Sequence, residues 1–143
     1  MKKYELTAES IVKFGRTLFR IKALVAFENV EEGELGGFVE KEGNLDQSGD
    51  ALVYGNAQVY GNAQIFKMSH YVVAGPLGSR DDFTTFFRTK HHTIGVKCGC
   101  FRGNTDELLK AVETVHGDNK HAQAYKAAVD LAKLQIDLSE YPL

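Results

Sequence analysis

The residues best able to do chemistry lie in two short stretches, Gly78-Ser79-Arg80 and Arg102 to Thr105. The first is a glycine-opened loop that offers a hydroxyl and a guanidinium. The second places Arg102 just before Asn104, the start of a helix whose first N–H groups point at whatever stands in front of them. Both features favour an anion, and a phosphate above all. The predicted ligand-binding set is therefore Gly78, Ser79, Arg80, Arg102, Asn104 and Thr105. The competing reading is a plain turn, with Arg80 and Arg102 neutralised by Asp81, Asp82 and Asp106.

Cys98 and Cys100, with His91 and His92, invite a metal reading. Six residues of strand, at ~3.3 Å each, set His92 and Cys98 about 20 Å apart, too far for one coordination shell. The two thiols then read as small buried groups, and the two histidines as solvated turn residues. Nucleophilic catalysis by either thiol lacks a neighbouring base in the expected hairpin. No catalytic residue, metal or cofactor is assigned. His70 reads as a junction residue.

These side chains must be held by the segment from Tyr71 to the C-terminal helices. Tyr71 to Ala74, Phe83 to Thr89 and Thr93 to Phe101 read as strands, separated by a loop from Gly75 to Asp82 and a turn at Lys90 to His92. A two-residue turn at His91 and His92 pairs Phe87 with Val96, Thr85 with Cys98 and Phe83 with Cys100. That register puts Phe83, Phe87, Ile94, Val96, Cys98 and Cys100 on a core face. Thr84, Arg88 and Lys97, with Gly95 and Gly99, then form an open face suited to a partner, and Thr84, Arg88 and Lys97 are the partner-binding candidates. It also brings the Ser79 loop toward Gly99, Arg102 and the helix start. Asn104 with Glu107 makes a capping box, followed by an apolar stripe of Leu108, Leu109, Val112 and Val115 that ends at Gly117. A second helix begins at Asp118 or Asn119, with Ala122, Tyr125, Ala128, Val129, Ala132 and Ile136 inward, and Pro142 closes the chain.

Upstream the chain repeats itself with a period of six: Asp50 to Gly55, Asn56 to Gly61, and Asn62 to Phe66. Val53, Val59 and Ile65 recur at one phase, and Ala51, Ala57 and Ala63 at another. An aliphatic residue followed four positions later by alanine resembles the hexad of left-handed parallel β-helices, and three hexads make one coil. A single coil leaves two open ends. The segment before Asp50 is the expected cap on one side, and the sequence after Met68, or a second subunit, on the other. In that first segment Thr17 to Leu24 alternates as a strand, Thr7 to Ser10 reads as a turn or short helical corner, and Gly36 and Gly37 suit a tight corner with positive φ. The expected fold class is α+β: a β-rich N-terminal region with a single-coil left-handed β-helix-like repeat (1–69), then a small antiparallel sheet covered by two C-terminal helices (70–143). The open end predicts a homo-oligomer.

With 143 residues, 43% hydrophobic and 25% charged, the chain can bury a core of its own, and a net charge of -2 argues neither for direct nucleic-acid binding nor for a nucleic-acid mimic. No apolar run approaches the ~20 residues of a membrane span and no signal peptide precedes Tyr4, so a reducing cytoplasm is expected.

Three stretches resemble phage and prophage proteins with hexapeptide repeats: Leu18 to Leu24, Gly33 to Val39 with Glu40, Asn44 and Leu45, and the Tyr-Gly-Asn-Ala repeats. Gly75 to Arg80, Thr84-Thr85-Phe86 and Cys98 to Phe101 are similar to the segment that follows the repeats in some of them. The resemblance implies action in a bacterial host cytoplasm. The function expected is non-enzymatic binding that antagonises a host process such as antiviral defence. Sequestration of a phosphate-bearing nucleotide signal and blockage of a host defence protein, such as a CRISPR effector, are the two versions. An enzyme of another kind is the third reading.

Overall fold

A computed structural model describes residues 2–13, 15–27, 30–47, 53, 55, 57–98 and 101–139. Expectations for Gly49, Asp50, Ala51, Asn56, Gly99, Cys100 and Pro142 lie outside the described residues. The chain is α+β, with two four-stranded sheets and two C-terminal helices.

The first sheet runs β1 (Tyr4–Lys13), β2 (Arg16–Ala23), β3 (Leu35–Val39) and β4 (Gln58–Val59), adjacent in that order. β1 is one strand with a register shift between Leu6 and Ser10, so the turn expected at Thr7 to Ser10 is a bulge in a continuous ladder. Gly36 and Gly37 also depart from expectation, because they lie inside β3 and are not a positive-φ corner. The reason is space: a Cβ on Gly36 would stand 2.7 Å from the Val53 carbonyl oxygen and 2.8 Å from the Ile21 side chain.

The repeat enters this sheet in parallel. Phe38 pairs with Gln58 and Val39 with Val59, and Leu45 bridges Ile65 in the same sense. The phases assigned from the hexad match the burial, with Val53, Ala57, Val59, Ala63 and Ile65 all in the core. The other flank of the repeat meets the second sheet. Gln58 N–H donates to Thr85 Oγ1, Gln64 N–H to the Arg88 carbonyl and Lys90 N–H to the Asn62 carbonyl, while Ala63 bridges Thr89. Among the described residues both flanks of the repeat are engaged by the chain itself.

The second sheet is β5 (Tyr71–Leu77), β6 (Asp82–Arg88), β7 (Ile94–Cys98) and β8 (Phe101–Asn104), a sequential antiparallel meander. The hairpin register differs by one residue from the expected one. Phe86, not Phe87, faces Val96, and Thr84 faces Cys98. The connection is the five-residue loop 89–93, closed by Thr89 N–H to the Thr93 carbonyl at 2.9 Å and by the two threonine hydroxyls at 2.7 Å. His92 sits in it at φ 60. A one-residue slip exchanges the faces of a strand, so Thr84, Phe86 and Arg88 point to the helices while Thr85 and Phe87 point to the repeat. The segment expected as one strand from Thr93 to Phe101 is instead two, β7 and β8.

The helices are α1 (Thr105–His116) and α2 (Lys120–Gln135). Asn104 and Glu107 close the capping box, Asn119 caps α2 through the N–H groups of His121 and Ala122, and Gly117 ends α1 at φ 64. Their inward residues Leu108, Val112, Ala122, Tyr125, Ala128, Val129, Ala132 and Ile136 pack on Phe86, Ile94, Val96 and Cys98. Val115, expected in the stripe, is 74% exposed. The second sheet is thus covered by helices on one face and by the repeat on the other, with Tyr71 and Phe87 belonging to the N-terminal core.

Candidate functional site

Residues 78–81 form the turn between β5 and β6, where Asp81 N–H donates to the Gly78 carbonyl and Gly78 takes φ 77. Gly78 is required there, since a Cβ would stand 2.6 Å from the Tyr125 hydroxyl. The turn overhangs α1. Ser79, Arg80 and Asp82 form the polar side of a cavity of about 360 Å³, whose apolar side includes Phe101, Leu108, Val112 and Val115. His116, Tyr125 and Cys98 complete it.

Ring geometry organises the inner end. His116 stacks on Tyr125 with centroids 6.5 Å apart and planes 21° from parallel, and His121 stands 5.2 Å from His116. The Tyr125 hydroxyl lies 3.6 Å from Cys98 Sγ and donates to the Leu77 carbonyl at 3.5 Å. Burial, and then the Cys98 contact, hold the phenol well above the ordinary tyrosine range, so it is a neutral donor at any ordinary pH. What this cavity offers a ligand is an apolar wall, aromatic faces, one guanidinium, one carboxylate and the Ser79 hydroxyl.

The predicted anion site is divided by the fold. Ser79 and Arg80 line this cavity, with Gly78 before them in the same turn, but Arg102, Asn104 and Thr105 do not line it. β8 pairs back along β7, with Arg102 opposite Lys97 and Asn104 opposite Gly95, which carries the start of α1 away from the Ser79 turn. α1, at twelve residues about 18 Å long, then returns so that its C-terminal end, with Val115 and His116, meets that turn. The N-terminal end is closed by its own box, Glu107 N–H to Asn104 Oδ1 at 2.8 Å and Asn104 N–H to Glu107 Oε1 at 3.0 Å. Arg102 faces the other side of the sheet, in a cleft with Arg16 and Tyr60.

The open face expected for Thr84, Arg88 and Lys97 is not open. All three are buried. Thr84 and Arg88 lie under the helical layer, where Arg88 Nη2 donates to the Ser139 carbonyl at 3.2 Å and the guanidinium sits 5.7 Å from the Phe66 ring centre. Lys97 lies on the repeat side. The slip in register moved the first two, and the covering of both sheet faces buried all three.

Asp82, Phe101, His116 and Tyr125 are the cavity residues that the sequence did not announce. The signal for His116 was present in helix length, because a helix about as long as the hairpin must end near the hairpin's far turn. Tyr125 was read correctly as inward-facing, but its hydroxyl had no visible destination. No protein-family model and no curated protein matches this sequence.

Proposed function

We propose that the chain is a non-enzymatic binding protein that sequesters a phosphate-bearing nucleotide signal, with the cavity beneath the Ser79-Arg80 turn as its site. The observation that carries this reading is the placing of Arg80 and Ser79 at the mouth of a cavity with apolar and aromatic walls. A phosphate group pairs with the guanidinium and the serine hydroxyl, while a flat base lies among Phe101, Val112 and the His116–Tyr125 rings. Asp82 supplies an acceptor for an amino or ribose hydroxyl group. The cavity is within the ~300–1,000 Å³ of small-molecule sites. The setting, from the likeness to phage hexapeptide-repeat proteins, is antagonism of host defence in a bacterial cytoplasm. The repeat is proposed to be one left-handed coil that serves as the platform for the second sheet.

Calorimetric titration of mono-, di- and cyclic nucleotides, followed by recovery of the ligand, tests the proposal. Binding with the ligand returned unchanged fits sequestration, and conversion to product contradicts it.

A second reading rests on one specific feature. Val73 and Phe83, 42% and 54% exposed, lie next to each other on the repeat side of the second sheet. Such a patch suits a protein partner. In that reading Phe83→Asp abolishes inhibition of a defined host effector in a reconstituted assay and leaves nucleotide binding intact, and unchanged inhibition would exclude the patch.

A further inference from the structure

The cavity under the Ser79-Arg80 turn carries a particular balance of charge. Among the described residues its lining holds one guanidinium, that of Arg80, one carboxylate, that of Asp82, and no lysine. Neither Arg80 nor Asp82 stands in an ion pair with another described residue.

The two side chains come from one turn. Arg80 is exposed in it, and Asp82, the first residue of β6, is half-buried where the turn closes and pairs with Leu77. Alternate residues of a strand share a face, so Asp82 lies on the side of Thr84 and Phe86, toward the helices. Its charge reaches Tyr125 there, and adds to burial and the Cys98 contact in holding the phenol protonated.

Opposite charges in one lining select among phosphates. A guanidinium attracts any of them, but a carboxylate beside it repels each further negative charge. A phosphodiester has a single charge, which Arg80 matches. A terminal phosphate carries about two at neutral pH and a triphosphate carries more, and the excess faces Asp82. A carboxylate only accepts hydrogen bonds, so Asp82 also asks the ligand for a donor. A 3′,5′-cyclic ribonucleotide has both features in fixed relation, because its phosphodiester ring is fused to the sugar and the 2′-hydroxyl stands on the adjoining carbon.

We infer that the cavity binds a 3′,5′-cyclic ribonucleotide, with its phosphodiester on Arg80 and Ser79 and its 2′-hydroxyl donating to Asp82. The inference rests on the nucleotide reading of this cavity and narrows it to a compact monoanion. The fused ring leaves few torsions to be frozen on binding, which favours it over an open-chain phosphate. At about 360 Å³ the cavity is near the small end of ligand sites, which suits one base and one sugar.

The test is calorimetric titration of the full chain, at constant ionic strength, with cyclic AMP and cyclic GMP, their 2′-deoxy analogues, and 5′-AMP and 5′-GMP. For at least one base the cyclic ribonucleotide should bind roughly tenfold more tightly than its deoxy analogue, as loss of one hydrogen bond to a charged group predicts. It should also bind more tightly than the corresponding 5′-monophosphate. In Asp82→Ala, checked for folding by a thermal melt, the preference for ribose should vanish while the 5′-monophosphate gains affinity. The comparison of ligands on the wild type stands whatever the variant does. Equal binding of ribose and deoxyribose forms by the wild type, or a 5′-monophosphate bound as tightly as the cyclic form, would overturn the inference and leave the nucleotide reading in place. So would a ribose preference that survives in folded Asp82→Ala. Binding of no nucleotide at all would overturn both.

Discussion

The imidazole of His70 is fully buried, and its Nδ1 accepts the Phe66 N–H at 2.9 Å while Phe66 stands edge-on at 6.0 Å. Burial first, then the charges of Arg88 and Lys67, lower its pKa to about 4, with Asp137 acting in the opposite sense. An unfolded histidine titrates near ~6.5. Between those two values the unfolded chain binds the proton and the native chain does not, so stability rises with pH. The contribution is fully present above about pH 6.5 and is lost progressively as the pH falls to about 4. The loss amounts to roughly 3 kcal/mol. His70→Asn keeps an acceptor for Phe66 and removes the titration. Urea unfolding across this window should show a fall in the wild type that is smaller by about that amount in the variant, and parallel curves would contradict the assignment. Nothing in the sequence around His70 announced this: the residue looked like a junction because two of the charged groups that act on it, Arg88 and Asp137, come later in the chain.

β6 shows why some elements were legible and others were not. The run Phe83 to Arg88 places two phenylalanines side by side, and both are buried, Phe86 against the helices and Phe87 against the repeat, where it meets Tyr60 edge-on at 5.5 Å. Alternation identifies a register only when one face is wet. From Thr84 to Arg88 both faces are dry, so the register fell to the loop, and the loop was misjudged because the Thr89–Thr93 closure depends on paired hydroxyls. The helices were easier to read, since their caps and inward stripes are local properties of the chain. The repeat phases were likewise legible, because a six-residue period fixes inside and outside without reference to any partner. Val59 is fully buried and Asn62 is exposed. Val59→Asp should therefore remove most of the stability, as an unpaired charge in an apolar core costs several kcal/mol, whereas Asn62→Asp should shift the denaturation midpoint by no more than ~0.5 kcal/mol. Equal midpoints for the two variants would reverse the faces.

At the scale of the whole molecule, one sheet serves as the wall of two cavities. The helices cover one face and leave the Ser79-Arg80 cavity at the edge of their contact; the repeat covers the other and leaves the Arg16–Arg102 cleft. Sequence pattern singled out Arg80 and Arg102 but placed them together, because it could not see that β8 doubles back on β7. The central claim is that the cavity under the Ser79-Arg80 turn holds a phosphate-bearing nucleotide. Calorimetric titration of nucleotides into the wild type and Arg80→Ala, with a thermal melt of each, tests it most directly. Arg80 is an exposed turn residue, so the variant should melt with the wild type, and its affinity should fall roughly ten- to a hundredfold, the worth of a charge-assisted contact of ~1.5–3 kcal/mol. Equal affinity in a folded Arg80→Ala protein, or no nucleotide binding by the wild type at all, would contradict the account.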